Sequence, residues 1–107
     1  RSIADKVEFM GWEMLPKGSK GKIVRKIPED IVETLAIIEH EEWIKERLTS
    51  GWVYGKEKDS DKKVSPYLIP FDELTEEIKD YDRDTIRNIP VLLELIGMAV
   101  YVKKSKN

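Results

Sequence analysis

The sequence predicts a mainly α-helical fold, a small helical domain with long extended loops and at most short β segments. Three observations support this prediction. The 107 residues fit one compact domain, and a hydrophobic content of 40% provides a modest core. Residues 28–50 carry helix signals at both ends. Pro66 and Pro70 enclose an apolar stretch that resists helix formation, so this part should pack as an extended segment.

The N-terminal residues predict a first helix followed by a basic loop. Ser2 can cap the helix, whose apolar residues recur at steps of three and four, and Pro16 ends it. Residues 16–28 contain five basic and no acidic residues. They predict a solvated loop with a short strand over 23–25, and a phosphate-contacting role is the alternative for this loop. The apolar residues of the helix are Ile3, Val7, Met10 and Met14.

Residues 28–50 form the longest predicted helix. Pro28 suits its first turn, and the acidic residues near its start and basic residues near its end match the helix dipole. At 100° per residue, His40, Trp43 and Arg47 share one side. The apolar side shifts along the helix, so its two ends should contact different parts of the molecule. The charged residues near its ends are Glu29, Asp30, Glu33, Lys45 and Arg47.

The sequence SGWVYGKEK at 50–58 places two aromatic residues between two glycines. Gly51 predicts the left-handed residue that ends the long helix, and Trp52 is placed to fold back on the last turn. Two interpretations stay open for Trp52. It covers the helix end as a core residue, or it presents its ring to a ligand or partner. The other aromatic groups expected in the core, two of them as hydrogen-bonding members, are Trp43, His40 and Tyr54.

The second half of the chain predicts loops and two short helices. Residues 56–65 are mostly polar and predict an exposed loop. A brief helix over 76–81 and a bent last helix follow, and residues 98–102 form a short strand or a packed tail. The residues that start, bend or end these elements are Asp72, Asp82 or Asp84, Pro90 and Gly97. The apolar positions of the last helix are Ile86, Ile89, Leu93 and Ile96.

The composition excludes several kinds of chemistry. Without cysteine the chain has no disulfide, thiolate metal site or cysteine nucleophile, and its single histidine cannot build a histidine-rich metal site. Stretches that resemble phosphate, zinc-protease and calcium motifs each lack a required residue. We therefore expect no catalytic residue, no enzyme activity, no metal and no cofactor.

Charge and hydropathy indicate which partners to expect. The net charge is −2 and both signs are interspersed, so no nucleic-acid partner is indicated. No apolar run reaches the ~20 residues of a membrane span. We expect no nucleic-acid binding, no membrane insertion and a cytoplasmic location, which the lack of cysteine also favours. Because the first residue is Arg1, we expect a domain that belongs to a larger protein.

Four short motifs follow one another in this sequence. They are His40-Glu41-Glu42-Trp43, Gly51-Trp52-Val53-Tyr54-Gly55, Pro66-Tyr67-Leu68-Ile69-Pro70-Phe71 and Tyr81-Asp82-Arg83-Asp84. This succession resembles the RyR domain, the repeat found in pairs in ryanodine receptor calcium channels and singly in bacterial and phage proteins. The similarity covers about residues 33–97. We assign 1–28 to an N-terminal helix and basic loop outside the match, 29–102 to the domain and 103–107 to a tail.

The resemblance implies a largely helical, non-enzymatic regulatory module of the single-copy bacterial type. The family has been associated with phosphorylation in a loop, but the loop 56–63 offers only Ser60 between two aspartates, so this property does not carry over. The family has also been associated with nucleotide-like ligands at aromatic residues, and stacking on Trp52 would suit an adenine-type base. The candidate ligand residues are Trp52, Tyr54, Lys63 and Arg83. The residues expected to shape the motif are His40, Trp43, Gly51, Gly55, Pro66 and Pro70.

The number of repeats bears on assembly. The family uses its repeats in pairs and this chain holds one, so we expect a homodimer or pairing with a second repeat, with Trp52 near the contact. The ligand hypothesis has an alternative, a purely structural interaction or oligomerisation domain that binds no small molecule.

Overall fold

The computed structural model describes residues 3–103, which form a mixed α/β fold with a helical majority, about 48% helix and 17% strand. The predicted cap Ser2 and the tail residues 104–107 lie outside the described residues. The helical prediction is thus confirmed in part. In chain order the elements are α1 (Ile3–Phe9), β1 (Trp12–Pro16), β2 (Ile23–Val24), α2 (Glu29–Thr49), β3 (Val53–Tyr54), β4 (Val64–Ser65), a 3₁₀ turn (Phe71–Glu73), α3 (Glu76–Arg87), α4 (Ile89–Leu95) and β5 (Met98–Val102).

Helix α2 confirms the predicted long helix to within one residue at each end. Pro28 lies at the N-cap rather than in the first turn. At the other end Gly51 has φ +90°, and its N–H donates to the carbonyl of Leu48 at 3.1 Å. The N–H of Trp52 donates to the carbonyl of Arg47 at 3.0 Å. These two bonds close the helix through the glycine turn that the sequence predicts.

A three-stranded antiparallel sheet joins the two ends of the described chain. β5 lies in the middle and pairs with β1 on one side and with β2 on the other. The predicted first helix is therefore wrong beyond Phe9. Gly11, with φ +76°, turns the chain, and Met14 lies in β1. Pairing with a strand from the far end of the chain outweighs the helical spacing of the apolar residues.

Helices α3 and α4 correct the prediction for the last third of the chain. α3 runs unbroken through Asp82 and Asp84, so neither residue caps a helix. Its N-cap is Thr75, whose Oγ1 accepts a backbone N–H at 3.3 Å. The break between the helices comes at Asn88 instead. Pro90 falls in the first turn of α4, where a missing N–H breaks no helical hydrogen bond.

The chain between α2 and α3 is more ordered than predicted. Part of the expected loop 56–65 forms β4, which pairs in parallel with β3, and Ser65 is buried there. The segment 66–71 crosses α2 as expected, but it is not extended throughout. It opens with a turn at 66 and 67, and Phe71 begins the 3₁₀ turn.

Two apolar clusters meet on α2. The larger one fills the space between α2, the sheet, α1, α3 and α4, and its members are Val7, Trp12, Ile27, Val32, Leu35, Ile86, Ile89, Leu93 and Val100. The smaller one joins α2 to the 3₁₀ turn through Ala36, Phe71 and Leu74. Ile96, which the sequence places with the core residues, is instead exposed. α2 therefore contacts different partners along its length, as its shifting apolar side predicts.

Candidate functional site

A groove of about 280 Å³ lies between α2, α3 and the segment that connects β4 to the 3₁₀ turn. Its floor comes from α2, one wall from α3 and the other from the connecting segment. Among its lining side chains, three are aromatic rings, one is an imidazole and one is a carboxylate. The lining residues are His40, Trp43, Tyr67, Ile78, Tyr81 and Asp82. We call this surface the aromatic groove.

The imidazole of His40 is held firmly in the floor of the groove. The ring is buried, and its Nε2 lies 2.8 Å from the carbonyl oxygen of Ile69. Because a carbonyl only accepts, Nε2 carries the hydrogen and donates it. Nδ1 then faces the carboxylate of Asp82 at 3.6 Å. His40 also stacks on Trp43, with ring centroids 5.6 Å apart and an angle of 17° between the planes, so both rings are fixed in orientation.

A second set of ring contacts runs from the groove to the end of α2. The guanidinium of Arg47 lies 5.4 Å from the ring centre of Trp43 and 5.2 Å from that of Trp52. Arg47 therefore links the two tryptophans. The predicted grouping of His40, Trp43 and Arg47 on one side of the helix is confirmed by these contacts. Trp52 is half-buried against the last turn, and this placement agrees with its interpretation as a cover for the helix end.

The aromatic groove also has accessible rings. Tyr81 exposes 65% of its surface, and Tyr67 is exposed at the opposite wall. Two accessible rings on opposite walls match what a planar ligand needs, since a base can stack between them. Asp82 places a carboxylate among these rings, and such a group accepts hydrogen bonds from an amino or imino N–H.

The four candidate ligand residues do not form one cluster. Tyr54 lies on β3 and Lys63 immediately precedes β4, close in the chain to Trp52, and the Nζ of Lys63 donates to the carbonyl of Ser50 at 3.0 Å. Tyr54 is 56% exposed, so its predicted place in the core is wrong. It lies on a two-residue strand whose two side chains are both exposed.

Arg83 lies on a different part of the molecule. Its Nε and Nη2 donate to the carboxylate of Glu33 at 2.8 and 3.0 Å, and Nη1 contacts Asp80 and Glu76. The hydrogen bond from Arg83 lowers the pKa of Glu33, and the same contact raises the pKa of Arg83. Glu33 and Arg47 are fourteen positions apart on α2, a rise of about 21 Å. Arg83 is therefore remote from Trp52 and already neutralised by carboxylates.

The residues that shape the predicted motif have identifiable roles. Gly55 approaches the side chain of Val64 so closely that a Cβ there would overlap it, which explains a glycine on this strand end. Pro66 starts the turn after β4, and Pro70 is the N-cap of the 3₁₀ turn. Together with Gly51 and the His40–Trp43 pair, they hold the segment 66–70 against α2.

The RyR domain model matches residues 19–102 of this chain. The chain belongs to the RyR domain family. The match covers most of the sequence and includes all the residues that line the aromatic groove. Three of the four motifs that resemble the family supply residues to the aromatic groove of this RyR domain, and the fourth, residues 51–55, follows the end of α2.

Several groove residues had not been selected as ligand candidates from the sequence. These are Tyr67, Ile78, Tyr81 and Asp82. Three of them belong to the motifs Pro66-Tyr67-Leu68 and Tyr81-Asp82-Arg83, so the sequence did contain a signal that could have selected them. Which of these side chains meet could not be read from spacing, because the meeting depends on how α3 docks on α2.

Two further features of the described chain concern metal binding and membrane insertion. Within residues 3–103, this RyR domain has no group of three or more His, Asp or Glu side chains arranged to hold a metal ion. None of the helices in the same range is long and apolar enough to cross a bilayer.

Proposed function

We propose that this RyR domain is a non-enzymatic regulatory module that binds a planar, adenine-nucleotide-like molecule in the aromatic groove. One observation carries the proposal: a ring fixed by stacking, Trp43, lies in a groove with two accessible tyrosines and a carboxylate. The volume of about 280 Å³ is at the lower end of ligand sites, which suits a single heterocycle. The ribose and phosphate of such a ligand would extend into solvent.

The proposal assigns each side chain a task in binding. Tyr67 and Tyr81, the accessible rings on the two walls, stack on the two faces of the base, and each such contact contributes ~1–3 kcal/mol. Trp43 contacts His40 and Arg47 through its ring and shapes the floor beneath the base. Asp82 accepts a hydrogen bond from the amino group of the base. His40 positions Trp43 and Asp82 rather than touching the ligand, because it is buried and bonded to Ile69. Trp52 acts indirectly, through Arg47, by holding Trp43.

The test compares two exposed tyrosines, one inside the groove and one outside it. Adenosine and adenosine monophosphate should raise the melting temperature of the wild-type protein by roughly 10 °C or more at concentrations ~100-fold above Kd. Tyr81→Ala should remove about a third or more of this shift. Tyr54→Ala removes a ring of similar exposure on β3 and should keep the shift. Absence of a shift with wild-type protein, or equal loss in both variants, would contradict the proposal.

The absence of enzyme activity is part of the same proposal. The single histidine is the natural candidate for a general base. Its Nε2 is committed to Ile69 and its Nδ1 faces Asp82, so neither nitrogen points at a ligand in the groove. Adenosine triphosphate incubated with the protein should be recovered unchanged, and His40-dependent release of phosphate would overturn this part.

A second function is favoured by a different observation. Helix α4 exposes a row of large apolar side chains that a monomer would normally cover. This supports an interaction role, either alongside ligand binding or, as the alternative, without any small ligand.

A further inference from the structure

The exposed apolar row on α4 consists of Val91, Leu92, Leu95 and Ile96, which expose between 48% and 78% of their surfaces. Val91 and Leu95 point away from the buried Ile89 and Leu93, whereas Leu92 and the C-cap residue Ile96 continue the row toward that buried side. We call this row the α4 face. Four large apolar side chains in one row form a contiguous patch of the kind that marks contact sites.

The α4 face borders a positively charged loop. Lys17 and Arg25, from the loop between β1 and β2 and its flanks, share a shallow depression with Val91 and Glu94. The Nζ of Lys17 lies 2.9 Å from Glu94, and this contact lowers the pKa of the carboxyl and neutralises it. The rest of the loop carries further cations and no acidic residue. The α4 face is therefore apolar in the middle and cationic along one edge.

A complementary surface lies on α2. A groove of about 540 Å³ has a mostly apolar lining and two carboxylates, Glu41 and Asp72, at its edges. Leu48, also exposed, continues the row of α2 positions 37, 41 and 44 toward the helix end. We call this surface the α2 groove. It is separate from the aromatic groove, to which α2 contributes the neighbouring positions 40 and 43. Its apolar lining residues are Ile37, Ile44, Leu68, Ile69, Pro70 and Phe71.

We propose that the α4 face of one molecule docks in the α2 groove of a second copy of this chain. The shapes agree, since a short apolar helix is convex and the groove is concave. The charges agree as well, because the cationic edge beside Val91 would meet the carboxylates of Glu41 and Asp72. The α4 face is convex with a cationic edge, the α2 groove is concave with two carboxylates, and both surfaces belong to the same chain.

This arrangement fixes the kind of assembly. The two contacting surfaces are different, so the contact is head-to-tail, and a dimer formed by one contact still carries one free α4 face and one free α2 groove. Association therefore continues with concentration unless a ring closes. A seven-residue helix buries a small interface, so the association should be weak, with Kd roughly micromolar or above. The contact does not involve Trp52, and it can form with or without a ligand in the aromatic groove.

Mixing two variants tests the proposal directly. Leu95→Lys places a charge in the α4 face, and the double variant Glu41→Lys/Asp72→Lys reverses the charge at the α2 groove. All three side chains are exposed, so both proteins should keep the wild-type melting temperature. By sedimentation velocity from about 10 µM to about 1 mM, the wild type should associate progressively. Each variant alone should lose at least about tenfold in affinity.

The mixture gives the decisive result. A 1:1 mixture should form a dimer and stop there, because one protein supplies an intact α4 face and the other an intact α2 groove. Phe9→Lys removes an exposed apolar ring on α1, outside both surfaces, and should associate like the wild type. If the wild type stays monomeric at every concentration, the two surfaces serve another protein and the proposal is overturned. If Leu95→Lys disrupts association while the double variant still associates with itself, and the mixture contains no dimer of the two different proteins, two α4 faces pack on each other instead, which also overturns it.

Discussion

Among single residues, Arg47 connects the aromatic groove to the C-terminal end of α2. Its guanidinium lies within 5.4 Å of two tryptophan rings, one in the aromatic groove and one at the helix end. The same residue supplies the carbonyl that accepts the N–H of Trp52. The side chain and the backbone of Arg47 thus fix the same corner, and the position of Trp43 in the groove depends on both.

Removing the charge of Arg47 tests how much these contacts contribute. Arg47→Leu keeps an apolar stem and the helix propensity but loses both cation–ring contacts. Since each contributes ~0.5–1 kcal/mol near the surface, the free energy of unfolding should fall by about 1–2 kcal/mol. Urea unfolding measures this free energy. Lys45→Leu, on the exposed side of the same helix, should change it by no more than about 0.5 kcal/mol. Equal effects would show that the ring contacts contribute nothing.

The ion pair between Glu33 and Arg83 predicts how stability changes with pH. The hydrogen bond from Arg83 lowers the pKa of Glu33 in the folded protein. The unfolded chain therefore binds more protons at acid pH, and the stabilisation is complete above the ordinary glutamate pKa of about 4.3 and is lost as the pH falls below it. Because Glu33 is partly exposed, the contribution should not exceed about 1 kcal/mol.

Glu33→Gln removes this titration while keeping the shape of the side chain. The variant should be less stable than wild type at pH 7, and the difference should disappear near pH 3. Thermal unfolding of both proteins between pH 7 and pH 3 measures this difference in stability. Asp30→Asn, an exposed carboxyl one turn earlier on α2, serves as the control and should leave the difference between pH 7 and pH 3 nearly as in wild type. A difference for Glu33→Gln that persists at pH 3 would contradict the ion-pair explanation.

How far the site could be predicted depended on whether its residues share an element. His40, Trp43 and Arg47 were grouped correctly because helix geometry alone fixes their common side. The grouping of Arg83 with Trp52 at a ligand stays a prediction, and nothing local to the sequence shows that Arg83 pairs with Glu33 on the far part of α2. Tyr81 was overlooked for the same reason, because its place in the groove follows from how α3 docks.

Among the elements, the C-terminal end of α2, with its left-handed glycine, is the one that was predicted most completely from the sequence. Gly51 has φ +90°, and a Cβ added there would meet nothing within 4 Å. Gly51→Ala should therefore destabilise through backbone conformation alone, by about 1–2 kcal/mol. Gly51→Asn should lose less, because asparagine tolerates the left-handed region better. Chemical denaturation of the two variants measures the difference, and an alanine variant no worse than the asparagine variant would exclude this explanation.

The three-stranded sheet shows why β1 was not predicted from the sequence. β1 has apolar residues at a helical spacing from α1, and its partner β5 lies more than eighty residues later in the chain. Pairing over such a distance leaves no local signal. β5 itself was expected as a strand or tail, because the run MAVYV has high β propensity. A strand can thus be recognised from composition while its partner cannot.

On the scale of the whole molecule, the RyR domain is elongated. Its radius of gyration is 16.4 Å and its extents are 50 × 29 × 23 Å, whereas a compact chain of this length has a radius of about 13 Å. The larger apolar cluster joins the sheet to α2, and the smaller cluster adds only the 3₁₀ turn. The two-stranded sheet belongs to neither cluster. Stability should therefore be uneven along the molecule.

Amide hydrogen exchange should reveal this unevenness. The N–H groups of Val53 and Val64 are bonded at 2.9 Å, but they belong to two-residue strands, and Val53 is exposed. The amide of Val102 is bonded at 2.8 Å in a sheet whose centre includes the buried Val100. Because hydrogen-bond lengths are alike, only the local opening free energy should differ. After correction for intrinsic rates, we expect the β3–β4 amides to exchange at least about tenfold faster than those of β1 and β5. Equal protection in both sheets would mean that the molecule opens as one cooperative unit, and the corner at Gly51 would then be as stable as the core.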